Sequence, residues 1–157
     1  MSAHADGPSD PTRSGSPVPA GAGALLSRNE VEMLCLKAAR GAGMSWGLAE
    51  EAGFAAGWLA ARGLDGAGPM LARLRRADDG TMSQGNLSMS PVGWASDDKT
   101  VLCPIAVGAA LCDFANLPET AMAGGPLKIA PVCHPVLLLP FLPTLAACRG
   151  GAVALAA

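Results

Sequence analysis

A short, glycine-containing turn between two helix-like segments constrains this chain more than any other feature. The turn spans residues 40–45 and contains Gly41 and Gly43, and Trp46 follows it directly. A connection of only a few residues joins two helices that run antiparallel and pack side by side. The sequence therefore predicts a helical hairpin with its corner at this turn.

Both helices of the hairpin carry capping signals and helical periodicity. Ser27 and Glu30 have the spacing of a capping box, so the first helix is expected to begin there. Gly41 is predicted to end it in the left-handed conformation. Ser45 is the expected cap of the second helix. Apolar residues recur on one face of each helix: Val31, Leu34, Cys35, Ala38 and Ala39 on the first, and Ala49, Ala52, Ala56, Leu59 and Ala60 on the second.

The chain divides into a tail and one domain. Residues 1–23 are rich in Pro, Gly, Ser and Ala and lack the order of a secretory signal, which predicts a disordered tail and a cytoplasmic protein. Residues 24–157 are predicted to form a single domain, with a helical part at 27–77, a loop at 78–100 and an apolar part at 101–157. A third helix is expected at 69–77, because proline suits a first helical turn.

The apolar part holds short strand-like and helix-like runs. Residues 101–105, 127–132 and 152–156 are predicted strands, and residues 107–115 and 136–148 are predicted helices. A parallel β-α-β arrangement fits this order, and so does an all-helical packing. The expected fold class is α+β or α/β, with the hairpin and third helix packed on an apolar C-terminal half that contains a few short strands.

The low charge content bears on the partners of the protein. Half of the residues are hydrophobic, only 15% are charged, and the formal net charge is -2. This composition argues against nucleic acid as a ligand. The uncharged run 129–148 holds four prolines, which argue against a membrane-spanning helix. An apolar surface with so few charges is expected to be covered by a protein partner or by a second copy of the chain.

A candidate pocket is predicted at the hairpin corner, with one carboxylate added from the apolar part. Glycines ahead of a helix can cradle an anion, but a plain helix connector explains them as well, and two glutamates oppose an anion. One of the two glutamates is expected to face inward, and burial of Glu50 under Trp46 would raise its pKa and suit it to acid-base chemistry. The candidate pocket residues are Arg40, Gly41, Gly43, Trp46, Glu50, Glu51 and Asp113.

The thiols and imidazoles form no catalytic set in the sequence. The five cysteines form no C-x-x-C pair and are expected to be reduced, buried and apolar in character. Cys133 and His134 are adjacent, but the second histidine, His4, is in the tail, so no triad or metal-ligand set can be written. No metal site is predicted, and the sequence indicates no particular cofactor.

The run A-A-R-G-A-G-x-x-W-G-L-A-E-E-A-G at residues 38–53, followed by Trp58 and Leu59, carries a resemblance to a known family. Residues 27–66 resemble an uncharacterised bacterial family classed as a domain of unknown function. Residues 102–105 and 137–142 are similar to the second half of that family, more loosely. The resemblance implies a fold unit and gives no reaction.

Two hypotheses about function follow from these patterns. The first is a cytoplasmic binding or accessory protein that works with a partner subunit or as a homo-oligomer, because the charge content is low and no catalytic constellation is present. The alternative is a small enzyme, or an enzyme subunit, with its pocket where the Arg40 to Glu51 turn meets the apolar part.

Overall fold

A computed structural model describes residues 25–80, 87–90, 93–98, 100–114 and 126–156. The tail predicted at 1–23 lies outside these residues, as do parts of the loop predicted at 78–100. The described chain has an α+β fold, as expected, with helices and one two-stranded antiparallel sheet. In chain order its elements are α1 Arg28–Gly41, α2 Trp46–Ala60, α3 Ala67–Asp78, β1 Leu87–Ser90, β2 Gly93–Ser96, α4 Pro104–Asp113, a 3-10 helix at Pro135–Phe141, and α5 Leu142–Arg149.

Helix α1 begins with the predicted capping box. The Ser27 N–H donates to the Glu30 carboxylate at 2.8 Å, and the Glu30 N–H donates to the Ser27 hydroxyl at 3.3 Å. These bonds satisfy backbone donors that an uncapped helix start leaves open. The hydrogen bonds that the carboxylate of Glu30 accepts from Ser27, first from its backbone N–H, lower the pKa of Glu30 because they favour its charged form.

Gly41 was predicted to end α1 in the left-handed conformation, and this prediction was wrong. Gly41 is the last residue of the helix, and Gly43 adopts the left-handed conformation, with φ of 84°. The Gly43 N–H donates to the Arg40 carbonyl, and the Met44 N–H donates to the Ala39 carbonyl, each at 3.0 Å. This is a Schellman ending, which requires the left-handed residue beyond the last helical turn.

Helices α1 and α2 form the expected antiparallel pair, and small residues let them approach closely. Ala49, Ala52, Ala55, Ala56 and Leu59 of α2 are fully buried. A Cβ atom added at Gly53 would lie 2.7 Å from the backbone oxygen of Glu32. A side chain larger than hydrogen therefore cannot be accommodated at Gly53 without moving α1.

The apolar stripe predicted on α1 is buried only in part. Val31, Cys35 and Ala39 lie in the core, whereas Leu34 and Ala38 are exposed. At 3.6 residues per turn, positions 34 and 38 lie together on one side of the three buried positions, and no described element covers that side. The apolar face of α1 is therefore wider than the part that the core covers.

The strand predictions for the C-terminal half were mostly wrong. Residues 87–96, placed in a loop, contain β1 and β2, which pair antiparallel from Leu87 with Ser96 to Ser90 with Gly93. The predicted strand at 101–105 is interrupted because Pro104 begins α4. Residues 127–132 form only isolated parallel bridges, Ile129 with Trp94 and Val132 with Leu102. Residues 152–156 are in no strand.

The predicted bent helix at 136–148 is two helical elements. The 3-10 helix runs to Phe141, and α5 continues from Leu142, with Pro140 inside the first and Pro143 in the first turn of the second. Proline removes a backbone donor and clashes with the preceding turn, which explains why a continuous α-helix is not formed.

Two groups of buried side chains form the core, and α4 and the 3-10 helix contribute to both. Ile105 and Leu137 pack with α1, α2 and α3. Val107 and Leu138 pack instead with Trp94 and the C-terminal segments. The two groups are therefore joined through shared elements, and the second lies beneath the C-terminal surface.

Candidate functional site

The hairpin corner presents Arg40 and Trp46 as one surface pair. The Arg40 guanidinium lies 4.6 Å from the centre of the Trp46 ring and also donates to the Met44 carbonyl. Trp46 is 64% exposed, so its ring is open to solvent around this contact. The guanidinium therefore stabilises the turn through a cation–π contact with Trp46 and a hydrogen bond to the Met44 carbonyl. Both interactions are structural.

The two adjacent glutamates point to different environments. Glu50 is exposed, whereas Glu51 is partly buried toward the end of α4. Burial raises the pKa of Glu51, and the negative charges of Asp113 and Glu50 raise it further. The inward glutamate is therefore Glu51, and its electrostatic neighbours are carboxylates.

The predicted pocket residues fall into two groups with different contacts. Arg40, Gly43 and Trp46 form the turn, while Glu51 faces Asp113 at the end of α4. Asp113 is exposed, as expected of a carboxylate in an otherwise apolar helix. No described contact joins Arg40 to either glutamate.

None of the described cysteines is in a disulfide bond, and two of them have thiols of low acidity. Burial raises the pKa of Cys112 to about 11, and the charge of Glu51 adds to this effect. Burial likewise raises the pKa of Cys133 to about 11. A thiol that stays protonated at neutral pH is a poor nucleophile, so the Cys133-His134 pair has no activated thiolate.

Arg73 is a charged residue whose burial the sequence pattern did not indicate. It belongs to a run of arginines typical of a solvated helix end, yet its side chain is only 1% exposed. Its Nε and Nη1 atoms are buried without a hydrogen-bond partner in the described structure. Its positive charge acts on the Cys133 thiol and lowers the pKa, although burial outweighs that effect. Arg73 follows the buried residue Met70 by three positions, and residues three and four apart share one face of a helix. The helical periodicity of Met70 and Leu74 is therefore the signal that indicates an inward-facing Arg73.

An open apolar cleft of about 640 Å³ lies in the C-terminal half. Leu111, Leu138 and Leu145, contributed by α4, the 3-10 helix and α5, lie at its base. Its walls are the non-helical segments 126–127, 129–132 and 152–156. Its volume is within the range of sites for small organic ligands, roughly 300–1,000 Å³.

Backbone hydrogen bonds hold one wall of the cleft in place. Trp94 donates to the Lys128 carbonyl at 2.9 Å and accepts from the Ala130 N–H at 2.8 Å. Leu102 donates to the Pro131 carbonyl at 2.9 Å and accepts from the Cys133 N–H at 3.1 Å. The isolated bridges thus anchor segment 129–132 beside the second core group and leave the apolar side chains of Ile129 and Val132 at the cleft.

Sequence reasoning placed no site in this cleft, although it indicated the apolar composition of the region. The prolines that prevent continuous strands, Pro126 and Pro131 among them, keep this wall irregular. Three lining positions, Leu111, Leu138 and Leu145, come from separate elements, and their convergence depends on tertiary packing that periodicity does not encode.

Two other kinds of site have no candidate among the described residues. No group of three or more His, Cys, Asp or Glu side chains there is arranged to hold a metal ion. No helix in the described part of the chain is both long and apolar enough to cross a membrane.

Residues 26–97 match a family model described as "Protein of unknown function (DUF3726)". This part of the chain is similar to that family. The DUF3726 region contains the helical hairpin, α3 and both strands, and it includes the sequence run on which the expected resemblance rests. Searches of curated proteins and of solved structures gave no match. All the residues that line the cleft lie beyond the matched region.

Proposed function

We propose that this protein is a non-catalytic binding or accessory protein and that its binding site is the apolar cleft. The observation that carries the proposal is the cleft itself, an open space of about 640 Å³ with mostly apolar walls. Apolar surface left in contact with water is a source of binding free energy, about 25 cal/mol per Å² when a ligand covers it. The protonated thiols and separated pocket residues give less support to covalent or acid-base catalysis.

The proposal is tested by changing an exposed leucine of the cleft wall. Leu155 lines the cleft and is 41% exposed, and Leu64 lies outside helices and is 45% exposed but does not line the cleft. Leu155→Asp is expected to weaken binding of a fluorescent apolar probe several-fold, because it puts a charge on an apolar wall. Leu64→Asp is the matched control and should leave probe binding unchanged.

Equal probe binding by the wild-type protein, Leu155→Asp and Leu64→Asp would contradict the assignment of the cleft. Circular dichroism of all three proteins keeps a loss of binding separate from a loss of fold.

We also propose association with a partner subunit or with a second copy, as the low charge content suggests. Exposed apolar side chains on the helical end, including Met33, Leu34 and Trp46, support this part of the proposal. Light scattering after size exclusion measures it, and a monomer that stays monomeric with rising concentration would contradict self-association.

A small enzyme or enzyme subunit remains the second candidate function. The observation in its favour is Glu51, a partly buried carboxyl with a raised pKa near Asp113. A raised pKa suits a group that exchanges protons near neutral pH. If Glu51 is the acid or base, Glu51→Gln would abolish turnover in an assay of the natural pathway, while Glu50→Gln would retain it.

A further inference from the structure

The outer side of α1 carries an apolar pair between two opposite charges. Met33 and Leu34 lie in the middle of the helix and are exposed, on the side away from the buried residues of α1. Glu30 and Lys37 are also exposed and are seven residues apart. Because two turns of an α-helix take about 7.2 residues, both charged side chains leave the helix on nearly the same line. These four residues form the α1 face.

The other three charged residues of α1 are engaged in contacts within the chain. Arg28 and Glu32 form a salt bridge at 3.6 Å, and the Arg40 guanidinium lies on the Trp46 ring. Lys37, in contrast, forms no salt bridge with a described residue.

The α1 face therefore has a negative end, an apolar middle and a positive end. The hydrogen bonds from Ser27 lower the pKa of Glu30, so its side chain is a carboxylate at neutral pH. The Lys37 ammonium lies at the opposite end, beyond Met33 and Leu34. A surface with this order of charges matches a partner that presents the reverse order.

We propose that the α1 face binds a second copy of this chain, with the two α1 helices antiparallel about a two-fold axis that passes between Met33 and Leu34. In this register Glu30 of each copy is opposite Lys37 of the other, and Met33 of each copy is opposite Leu34 of the other. A two-fold interface uses the same surface on both copies and must be complementary to itself. The inference rests on the association part of the proposed function and names the partner.

The order of charges favours this arrangement over other ways of covering the face. A parallel pair of helices would bring Glu30 to Glu30 and Lys37 to Lys37, which opposes like charges. A partner of one charge sign would match one end of the face and repel the other. A second copy in the antiparallel direction supplies opposite charges at both ends and also removes Met33 and Leu34 from water.

Charge reversals test the register, with self-association of the full chain measured by analytical ultracentrifugation over a range of concentrations. Glu30→Lys and Lys37→Glu each oppose like charges at both ends of the face, and each should weaken self-association about tenfold or more. An equimolar mixture of the two variants should associate about as tightly as the wild-type protein, because opposite charges meet again at both ends. Circular dichroism of each variant measures whether the helices are retained.

A substitution in the apolar middle gives a second test that does not alter the capping box of α1. Met33→Asp should weaken self-association at least as much, because it brings a charge into the centre of the contact. Met89→Asp is the matched control and should leave self-association unchanged. Met89 lies in β1 and is 42% exposed, close to the 48% of Met33.

Each outcome bears on the inference in a defined way. Weaker association of both charge variants, with recovery in the mixture, would support the antiparallel register, whereas weakening without recovery would overturn it. Self-association that none of the α1 variants changes would overturn this interface and leave association through another surface. A chain that stays monomeric at all concentrations would overturn both this inference and self-association, and it would leave the proposed binding site in the cleft intact.

Discussion

At the scale of single residues, the adjacent glutamates Glu50 and Glu51 differ in burial, although they are chemically identical. The sequence establishes that adjacent helical glutamates point in different directions, but it does not say which one faces inward. The position of α4 decides this, since Asp113 and Cys112 lie on the side toward Glu51. Desolvation and negative neighbours then raise the pKa of Glu51.

This shift predicts a pH dependence of stability. Because the folded pKa of Glu51 is raised, the folded state holds the proton more tightly than the unfolded chain does. The stabilising contribution is complete below the unfolded pKa and is lost as pH rises through the folded pKa. Glu51→Gln should therefore lose less stability than the wild-type protein between acidic and neutral pH in urea titrations.

Asp78→Asn is the control for this measurement, because Asp78 is an exposed carboxylate at the end of α3 and is not among the charges that raise the pKa of Glu51. Equal pH dependence of the wild-type and Glu51→Gln proteins would show that the Glu51 carboxyl is solvated like an ordinary surface group.

At the scale of elements, the α1–α2 contact depends on which glycines face the partner helix. Gly53 and Gly57 lie against Glu32 of α1, while a Cβ added at Gly47 would have no atom within 4 Å. All three glycines lie within α2. Gly53 is therefore required by packing, whereas Gly47 costs helix stability without a compensating contact.

Two alanine substitutions in the same helix should consequently have opposite effects. Gly53→Ala should lower the free energy of unfolding by about 1–3 kcal/mol, because the added methyl overpacks the helix contact. Gly47→Ala should raise it by roughly 0.5–1 kcal/mol through helix propensity. Urea denaturation followed by circular dichroism measures both, and destabilisation of similar size by the two variants would contradict the close approach at Gly53.

The accuracy of the sequence predictions differs between elements for a physical reason. Capping and 3.6-residue periodicity are local, so the start of α1 at Ser27 and the order of the first three helices were predicted. Strand pairing is not local. Pro104 begins a helix where a strand was expected, and residues 127–132 contribute only bridges, because neighbouring segments and prolines limit their pairing.

At the scale of the whole molecule, the two core groups divide the protein into unlike ends that share α4 and the 3-10 helix. The DUF3726 match covers the helical end and the hairpin of strands, whereas the cleft lies mainly at the other end. Phe141 connects them, with its ring 6.3 Å from that of Phe54 and against Gly108 of α4. The helical end thus supports the elements that form the base of the cleft.

The candidate site was only partly predictable from the sequence at this scale. The low charge of residues 101–157 indicated an apolar surface to be covered, which supports the proposed binding function. The structure brings two of the predicted pocket residues, Arg40 and Trp46, into contact. The cleft, by contrast, depends on the meeting of segments that are separate in the sequence. Composition indicates the polarity of such a surface and not its shape.

A methyl NMR titration of the full chain with 1-decanol tests the central claim most directly, because a neutral apolar probe reports on the walls of the cleft. The account predicts saturable shifts of the methyl signals of Leu127, Ile129 and Val132, which line the cleft, and unchanged signals of Val31 and Leu59 in the helical core. Shifts confined to the helical end, or no saturable shifts at any methyl group, would contradict the assignment of the cleft as the binding site.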